Sequence, residues 1–272
     1  ALPLPSPGLL LASAVVVFAA GIVRGFAGFG FSALCVAGMA LFLPPAAVVP
    51  PIFVLEVLAS LSLLRGALKD AHWPWLGWLV LGNALCIPLG VAVLAWVSEV
   101  PLRLLIGALL LLAAVLLRQG WTLALPPTRG VRLATGLISG FVNGVAAIGG
   151  IAVAVILSAT RSDSAGALPP AAMRATMILL FLFTDLYALA WAALLPGPSD
   201  HGLLDAATLQ LALWLAPAML AGIWVGQRAF GGVSLPLFRR RVLDLLALIA
   251  ALSVLRALAA LAALAALWPL QP

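Results

Sequence analysis

Apolar residues fill long, nearly unbroken stretches of this chain, and polar residues gather in short gaps between them. Divided at charged residues and at Pro/Gly breaks, the stretches cover 9–43, 46–64, 72–96, 101–118, 131–160, 168–195, 206–228 and 241–268. A helix needs about 20 apolar residues to cross the roughly 30 Å hydrocarbon core of a bilayer, and six of these stretches predict single crossings. The first and fifth do not. Residues 9–43 would make one helix of roughly 52 Å at about 1.5 Å per residue, yet RGFAGFGF interrupts them at Arg24 to Phe31. The fifth is interrupted in the same way by NGVAAIGG, Asn143 to Gly150. Each is read as two half-length helices meeting at a glycine-rich break, either a re-entrant hairpin or a pair of short crossings.

The two interruptions are copies. GIVRGFAGFG at Gly21 to Gly30 lies over GFVNGVAAIG at Gly140 to Gly149, sharing GxVxGxAxxG in register at a spacing of 119 residues. A second landmark, LPPAA, then opens the next long helix in each half, at Leu43 to Ala47 and Leu168 to Ala172. The chain is therefore read as an internal duplication within one transmembrane domain, with an N-terminal repeat over 1–125 and a C-terminal repeat over 126–272. The polar stretch around Pro126 and Pro127 joins them. The predicted fold is all-α: a polytopic membrane protein of two repeats, each a glycine-broken helix pair followed by three transmembrane helices.

Composition agrees and removes the soluble alternative. Of 272 residues, 65% are hydrophobic and only 8% are Asp, Glu, Lys or Arg, against about 25% charged in an ordinary soluble domain. The 14 Lys and Arg exceed the 8 Asp and Glu, but no lysine-rich run or aromatic-interleaved basic patch points to nucleic acid. The excess sets sidedness instead. If each broken segment returns to its starting side and the N-terminus lies outside, Arg65, Lys69, Arg118, Arg129, Arg132, Arg161, Arg174, Arg228 and Arg239 to Arg241 fall at the cytoplasmic face, and Arg103 falls outside. Glu99, Asp200 and Asp205 then occupy outer loops, and both termini are expected outside a multi-pass protein of the cell membrane. The first half starts outside and ends inside, so the repeats are expected to be inverted. Trp73, Trp75, Trp78, Trp191 and Trp268 sit near span ends, as interfacial belts do. ALPLPSPG at the start has no basic n-region or evident cleavage site, so Leu9 onward is read as mature membrane structure.

Inverted repeats with discontinuous helices are a transporter architecture whose site lies near the middle of the bilayer, where the broken helices converge. Gly25, Ala27, Gly28 and Gly30, with Gly144, Ala147, Gly149 and Gly150, are the candidate lining of that site. Glycines let the backbone break and bring free N–H groups, with the positive end of the helix dipole, close to an anion. A plainer reading is open for Gly21, Gly25, Gly136, Gly140 and Gly144, whose four-residue spacing also suits tight helix packing. Arg24 precedes the first break, deep in an apolar segment, where it costs about 2.5–3.5 kcal/mol on insertion scales. An anionic substrate, a water-filled cavity or a carboxylate such as Glu56 can offset that. Asn143, its counterpart in the second copy, is neutral.

Glu56 and Asp185 are acids within predicted spans, and an intramembrane carboxylate is a candidate for proton coupling or ion pairing. From the LPPAA landmark Glu56 aligns with Phe181 and Asp185 with Ser60, one turn apart on the same helical face. Arg174, eleven residues before Asp185, is a possible partner for it, a guard at the cytoplasmic entrance or a headgroup anchor. Gln227, Asn83 and Tyr187 are weaker lining candidates. Enzyme readings lack their residues: His72 and His201 flank spans without an HExxH or a cysteine partner, and RGFAGFGF lacks the GK[ST] ending of a nucleotide-binding loop. Cys35 and Cys86 lie in apolar segments as small packing residues. No cofactor, metal or catalytic group is expected.

The duplicated breaks GFAGFGF and GVAAIGG, each followed by LPPAA and a long helix, resemble the sulfite exporter TauE/SafE family of membrane permeases over nearly the whole chain. The resemblance implies export of sulfite, sulfoacetate or related organosulfur anions across the cytoplasmic membrane. The first copy reads FGFS where that family tends toward a run of glycines, and the second keeps Gly149 and Gly150. The two lines meet on a secondary transporter of small anions such as sulfite or organosulfonates, with an anion channel or a non-transporting scaffold or assembly factor as the rivals. Expected partners are a small inorganic or organic anion and membrane lipids, with a homodimer as a candidate assembly.

Overall fold

A computed structural model describes residues 6–120, 128–159, 169–195, 203–229 and 235–267. Among these the backbone forms ten helices and no strand: α1 (Pro7–Ala27), α2 (Phe31–Met39), α3 (Pro45–Asp70), α4 (Trp73–Trp96), α5 (Glu99–Gln119), α6 (Arg129–Ala146), α7 (Gly149–Ala159), α8 (Pro170–Leu194), α9 (Ala206–Ala229) and α10 (Leu235–Leu267). Seven are long and apolar enough to cross a membrane, namely α1, α3, α4, α5, α8, α9 and α10. The expected boundary at residues 125 and 126, and Arg161, Asp200, His201 and Trp268, lie outside the described residues.

Local chemistry sets the helix starts. Ser6 caps α1, with Pro7 in the first turn. The second proline of each LPPAA landmark, Pro45 and Pro170, opens α3 and α8, since a first-turn proline forfeits an N–H that has no helical partner. His72 accepts from the Trp75 N–H at 3.2 Å to cap α4, and its own N–H donates to Thr176 Oγ1 at 2.9 Å, tying the α3–α4 junction to α8. Asp205 accepts from the Thr208 N–H at 2.7 Å at the start of α9, a bond that holds its carboxyl below the ordinary aspartate range.

The two breaks share a left-handed turn at the end of the first arm, differ at the next arm, where Gly30 is left-handed and its counterpart Gly149 already opens α7, and have unequal arms. α1 has 21 residues, about 32 Å, and α2 has nine, about 14 Å. α6 has 18 residues and α7 has 11. α1 ends where Gly28 turns left-handed (φ 80°) and returns its N–H to the Arg24 carbonyl. α6 ends at Ala147, also left-handed (φ 57°), its N–H returning to the Asn143 carbonyl. Gly28 and Ala147 are the same position of the aligned repeat. Glycine takes that conformation without cost, whereas alanine is strained there by about 1–2 kcal/mol. α2 is buried along its whole length, as a helix apolar all round must be.

Packing follows the duplication by exchange. α1 lies along α9, α6 along α4, α3 against α8 and α5 against α10. A Cβ at Gly21 would come 2.6 Å from the Met219 carbonyl oxygen, and one at Gly25 would come 2.2 Å from that of Ile223, so α1 and α9 run in the same direction at van der Waals contact of their backbones. On α6, a Cβ at Gly136 would meet the Leu79 carbonyl oxygen at 2.7 Å, at Gly140 the Asn83 Cα at 2.6 Å, and at Gly144 the Ile87 carbonyl oxygen at 2.5 Å. The four-residue glycine spacing is thus used for packing, and it serves cross-repeat contacts. Gly107 against Val254 and Arg118 bonded to Asp244 show α5 and α10 antiparallel. The outward faces carry large apolar side chains such as Leu85, Leu89, Leu213, Trp214 and Trp224. Trp75 departs from the expected belt, because it is buried beneath the Arg132 guanidinium, 4.8 Å from its ring centroid.

Gly21→Val is expected to cost about 1–3 kcal/mol by overpacking, while Gly77→Ala on α4, where a Cβ meets nothing within 4 Å, should be neutral or mildly stabilising. Thermal unfolding in detergent measures both, and equal behaviour of the two would contradict the close α1–α9 contact.

Candidate functional site

Arg24 sits in the last turn of α1, four residues before the left-handed Gly28, and is fully buried. Its Nη2 lies 3.2 Å from Glu56 Oε2 and donates to Ser60 Oγ at 3.1 Å. Its guanidinium carbon stands 4.5 Å from the centroid of the Phe181 ring. Arg24 Nε and Nη1 have no hydrogen-bond partner among the described residues. Glu56 faces two ways: Oε2 pairs with Arg24, and Oε1 accepts from Ser32 Oγ at 2.8 Å and from the Ser32 N–H at 3.3 Å. A carboxylate therefore already occupies the positive end of α2. Pairing with Glu56, among the ways the sequence offers to offset Arg24, is present.

The second break is built from neutral groups and one acid. Asn143 Nδ2 donates to Asp185 Oδ1 at 2.9 Å, and Asn143 Oδ1 accepts from the Gly149 N–H at 3.2 Å. Ser139 Oγ lies 3.1 Å from the Gly149 carbonyl oxygen and 3.3 Å from Asn83 Oδ1. Asp185 pairs with Asn143 rather than Arg174, and its Oδ2 has no partner among the described residues. The Phe181 ring lies against both the Arg24 guanidinium and Gly150, so the two breaks meet in one buried cluster level with the middle of α3 and α8.

Arg174 reaches back to the first break. Its Nη2 donates to the Gly25 carbonyl at 3.3 Å, and its side chain lies where a Cβ on Gly28 would fall, 2.6 Å from Cγ. It thus serves the carbonyl end of α1, where a cation is favoured. Gly25 and Gly144 face neighbouring helices rather than the breaks, and Ala27 is the last residue of α1. Gly28, Gly30, Ala147, Gly149 and Gly150 form the breaks themselves. Asn83 joins the second cluster through Ser139, while Tyr187 stacks on Phe183 at 5.6 Å. Gln227 contributes its backbone to the contact with Gly25.

Ser32, Ser60 and Phe181 were not singled out by sequence, although the LPPAA alignment carries a signal for two of them: Ser60 is the repeat partner of Asp185, and Phe181 that of Glu56. Arg256, inside the last apolar stretch, was also passed over. It donates to the Leu41 carbonyl at 2.6 Å, and Arg103 bonds the carbonyls of Ala40 and Leu43, so two arginines clasp the far end of α2.

The family model for the sulfite exporter TauE/SafE matches residues 13–254. No curated protein and no solved structure matches the chain.

Arg24→Ala is expected to destabilise the fold by about 3–5 kcal/mol, because it strands the buried Glu56 carboxylate. Adding Glu56→Gln should recover a large part of that loss, since a neutral amide still accepts from Ser32. Denaturant unfolding of the single and double variants checks this, and additive losses would show that the pair is not coupled.

Proposed function

The chain belongs to the sulfite exporter TauE/SafE family, whose members are membrane transporters rather than enzymes, and on that premise we propose that it is a secondary transporter. It exports small anions such as sulfite or organosulfonates from the cytoplasm by alternating access around the paired breaks. The observation that carries this reading is the buried Arg24, with two guanidinium nitrogens that lack hydrogen-bond partners among the described residues, beside the Phe181 ring that reaches the start of α7. A buried donor left unpaired costs about 1–3 kcal/mol, and more when charged, and an oxyanion would remove that cost.

The inverted arrangement of the repeats, with Arg-rich loops cytoplasmic and both termini outside the cell membrane, is part of the proposal. The exchanged pairing of α1 with α9 and α6 with α4 supports it, because two copies related by a two-fold axis in the membrane plane pack in that way. In such a protein the two halves rock against each other around the fixed site. Substrate contacts are assigned to Arg24, Asn143, Ala147, Gly149 and Gly150, while Gly28 and Gly30 shape the turn into α2, whose start Glu56 already covers. Gly25 and Gly144 hold the scaffold by packing, and Arg174 holds the end of α1.

Charge balance gives the two acids different tasks. With both acids ionised, Glu56 and Asp185 balance Arg24 and Arg174, so a proton on Asp185 leaves one net positive charge, which attracts an entering anion. Glu56 accepts bonds on Oε1 and faces Arg24 with Oε2, so its proton is not the one exchanged. Asp185, whose Oδ2 has no partner among the described residues, is assigned a proton that it takes up as the anion enters and that stays on the protein when the anion leaves. Expelling one negative charge from an inside-negative cell gains about 2.3 kcal/mol per 100 mV, a bias of roughly fiftyfold, so a potential alone drives export. The proton sets how strongly pH modulates it.

In proteoliposomes the protein should move sulfite and small sulfonates under an imposed potential, and absence of flux for every small anion would overturn the transport reading. Asp185→Asn should flatten the dependence of that flux on pH while Glu56→Gln keeps it. Identical wild-type profiles in both variants would remove Asp185 from proton coupling.

A further inference from the structure

The two breaks differ in what covers the start of their second arm. At α2 the Glu56 carboxylate accepts from the Ser32 N–H and hydroxyl. At α7 the aligned position is Phe181, and its ring takes the corresponding place: a Cβ on Gly150 would come 2.1 Å from ring atoms Cε1 and Cζ. The Gly149 N–H is met by the neutral Asn143 Oδ1 and the Ile151 N–H, aligned with that of Ser32, by the Ile148 carbonyl at 3.0 Å, and among the described residues no carboxylate bonds the first turn of α7. One face of the same ring lies against the Arg24 guanidinium, at 4.5 Å. The ring thus separates a fully buried arginine with two unpartnered nitrogens from a helix start that no acid neutralises.

We propose that Phe181 plugs the anion site: the transported anion binds between Arg24 and the first turn of α7, in the space the ring fills here, as Glu56 does permanently at α2. This rests on the transport reading and adds to it one site per chain, on the second repeat, and a residue that sets substrate size. Its chemistry is that of a compact oxyanion, sulfite or the head of a sulfonate. Such a group has several acceptor oxygens for the Arg24 Nε and Nη1 donors and for the α7 backbone. A helical phenylalanine changes position by a χ1 jump between staggered wells, and that jump is the movement the plug requires. The side chain would move aside when the anion enters and return when it leaves, keeping water out of a cluster whose charges depend on a dry setting. The repeats also account for why α2 binds no second anion: its site is filled by Glu56, which at the same time holds Arg24 in place.

Two variants test the plug in proteoliposomes, with sulfite, methanesulfonate and the bulkier benzenesulfonate as probes. Phe181→Ala should raise benzenesulfonate flux relative to sulfite flux by roughly tenfold or more, the scale on which a shape-selective pocket discriminates. Phe181→Glu rebuilds the α2 arrangement at α7 and should abolish sulfite flux while the protein stays monodisperse and folded. If Phe181→Glu does not fold, the Phe181→Ala selectivity ratio decides alone. An active unmodified protein with an unchanged ratio in Phe181→Ala, or with wild-type sulfite flux in folded Phe181→Glu, overturns the plug and leaves the transport reading standing. Failure of the unmodified protein to carry any of the three anions overturns both.

Discussion

The buried pair of Arg24 and Glu56 is the constraint around which the first repeat is organised. An arginine in the middle of a membrane protein is tolerated only with a partner, and a carboxylate only with donors. Glu56 meets both needs by facing Arg24 with one oxygen and the start of α2 with the other. The ion pair joins α1, α2 and α3 at the point where the backbone is interrupted. A helix break exposes N–H and C=O groups that lipid cannot satisfy, and such groups must find partners inside the protein. Glu56 serves the N–H side of this break and Arg174, bonding Gly25, serves the C=O side.

The second repeat solves the same problem with weaker groups, and the difference makes the protein asymmetric. Asn143 bridges the Gly149 N–H and Asp185 without adding charge. Ala147 accepts the strain of a left-handed turn that Gly28 takes freely. Phe181 stands where an acid stands in the first copy. The two breaks thus keep one left-handed turn in common, at the aligned Gly28 and Ala147, and differ in the polar groups around it. Arg24 and Arg174 both stand at the first break, while Asp185 pairs with the neutral Asn143 at the second. Two identical halves would instead place two ion pairs at the centre.

Glycine does two separate jobs in this architecture. Along α1 and α6 it lets backbones touch α9 and α4, which belong to the opposite repeat. At Gly28 and Gly30 it permits positive φ. Close packing without bulky side chains brings the backbones of α1 and α9, and of α4 and α6, into direct contact. In lipid no hydrophobic force separates these contacts from the surroundings, so their strength comes from the closeness that the missing Cβ atoms allow.

Apolar run lengths, the paired glycine motifs and the paired LPPAA landmarks fixed a great deal in advance: an all-helical membrane fold, the positions of both breaks, and the starts of α3 and α8. They were legible because helix length against bilayer thickness and proline at a helix start are local constraints, carried by the residues themselves. The intramembrane charges were legible for the same reason, since Arg24, Glu56 and Asp185 stand out against apolar neighbours. The partners they chose were not. That Arg24 would take Glu56 and Ser60 together, that Asp185 would pass over Arg174 for Asn143, and that the glycine rows would contact the opposite repeat all depend on how helices rotate about their axes once packed. Phe181 shows the limit best: in a sequence it is one apolar residue among many in a buried helix. Only the approach of α8 to both breaks puts its ring between a buried guanidinium and the start of α7, where removing it would leave room for an anion.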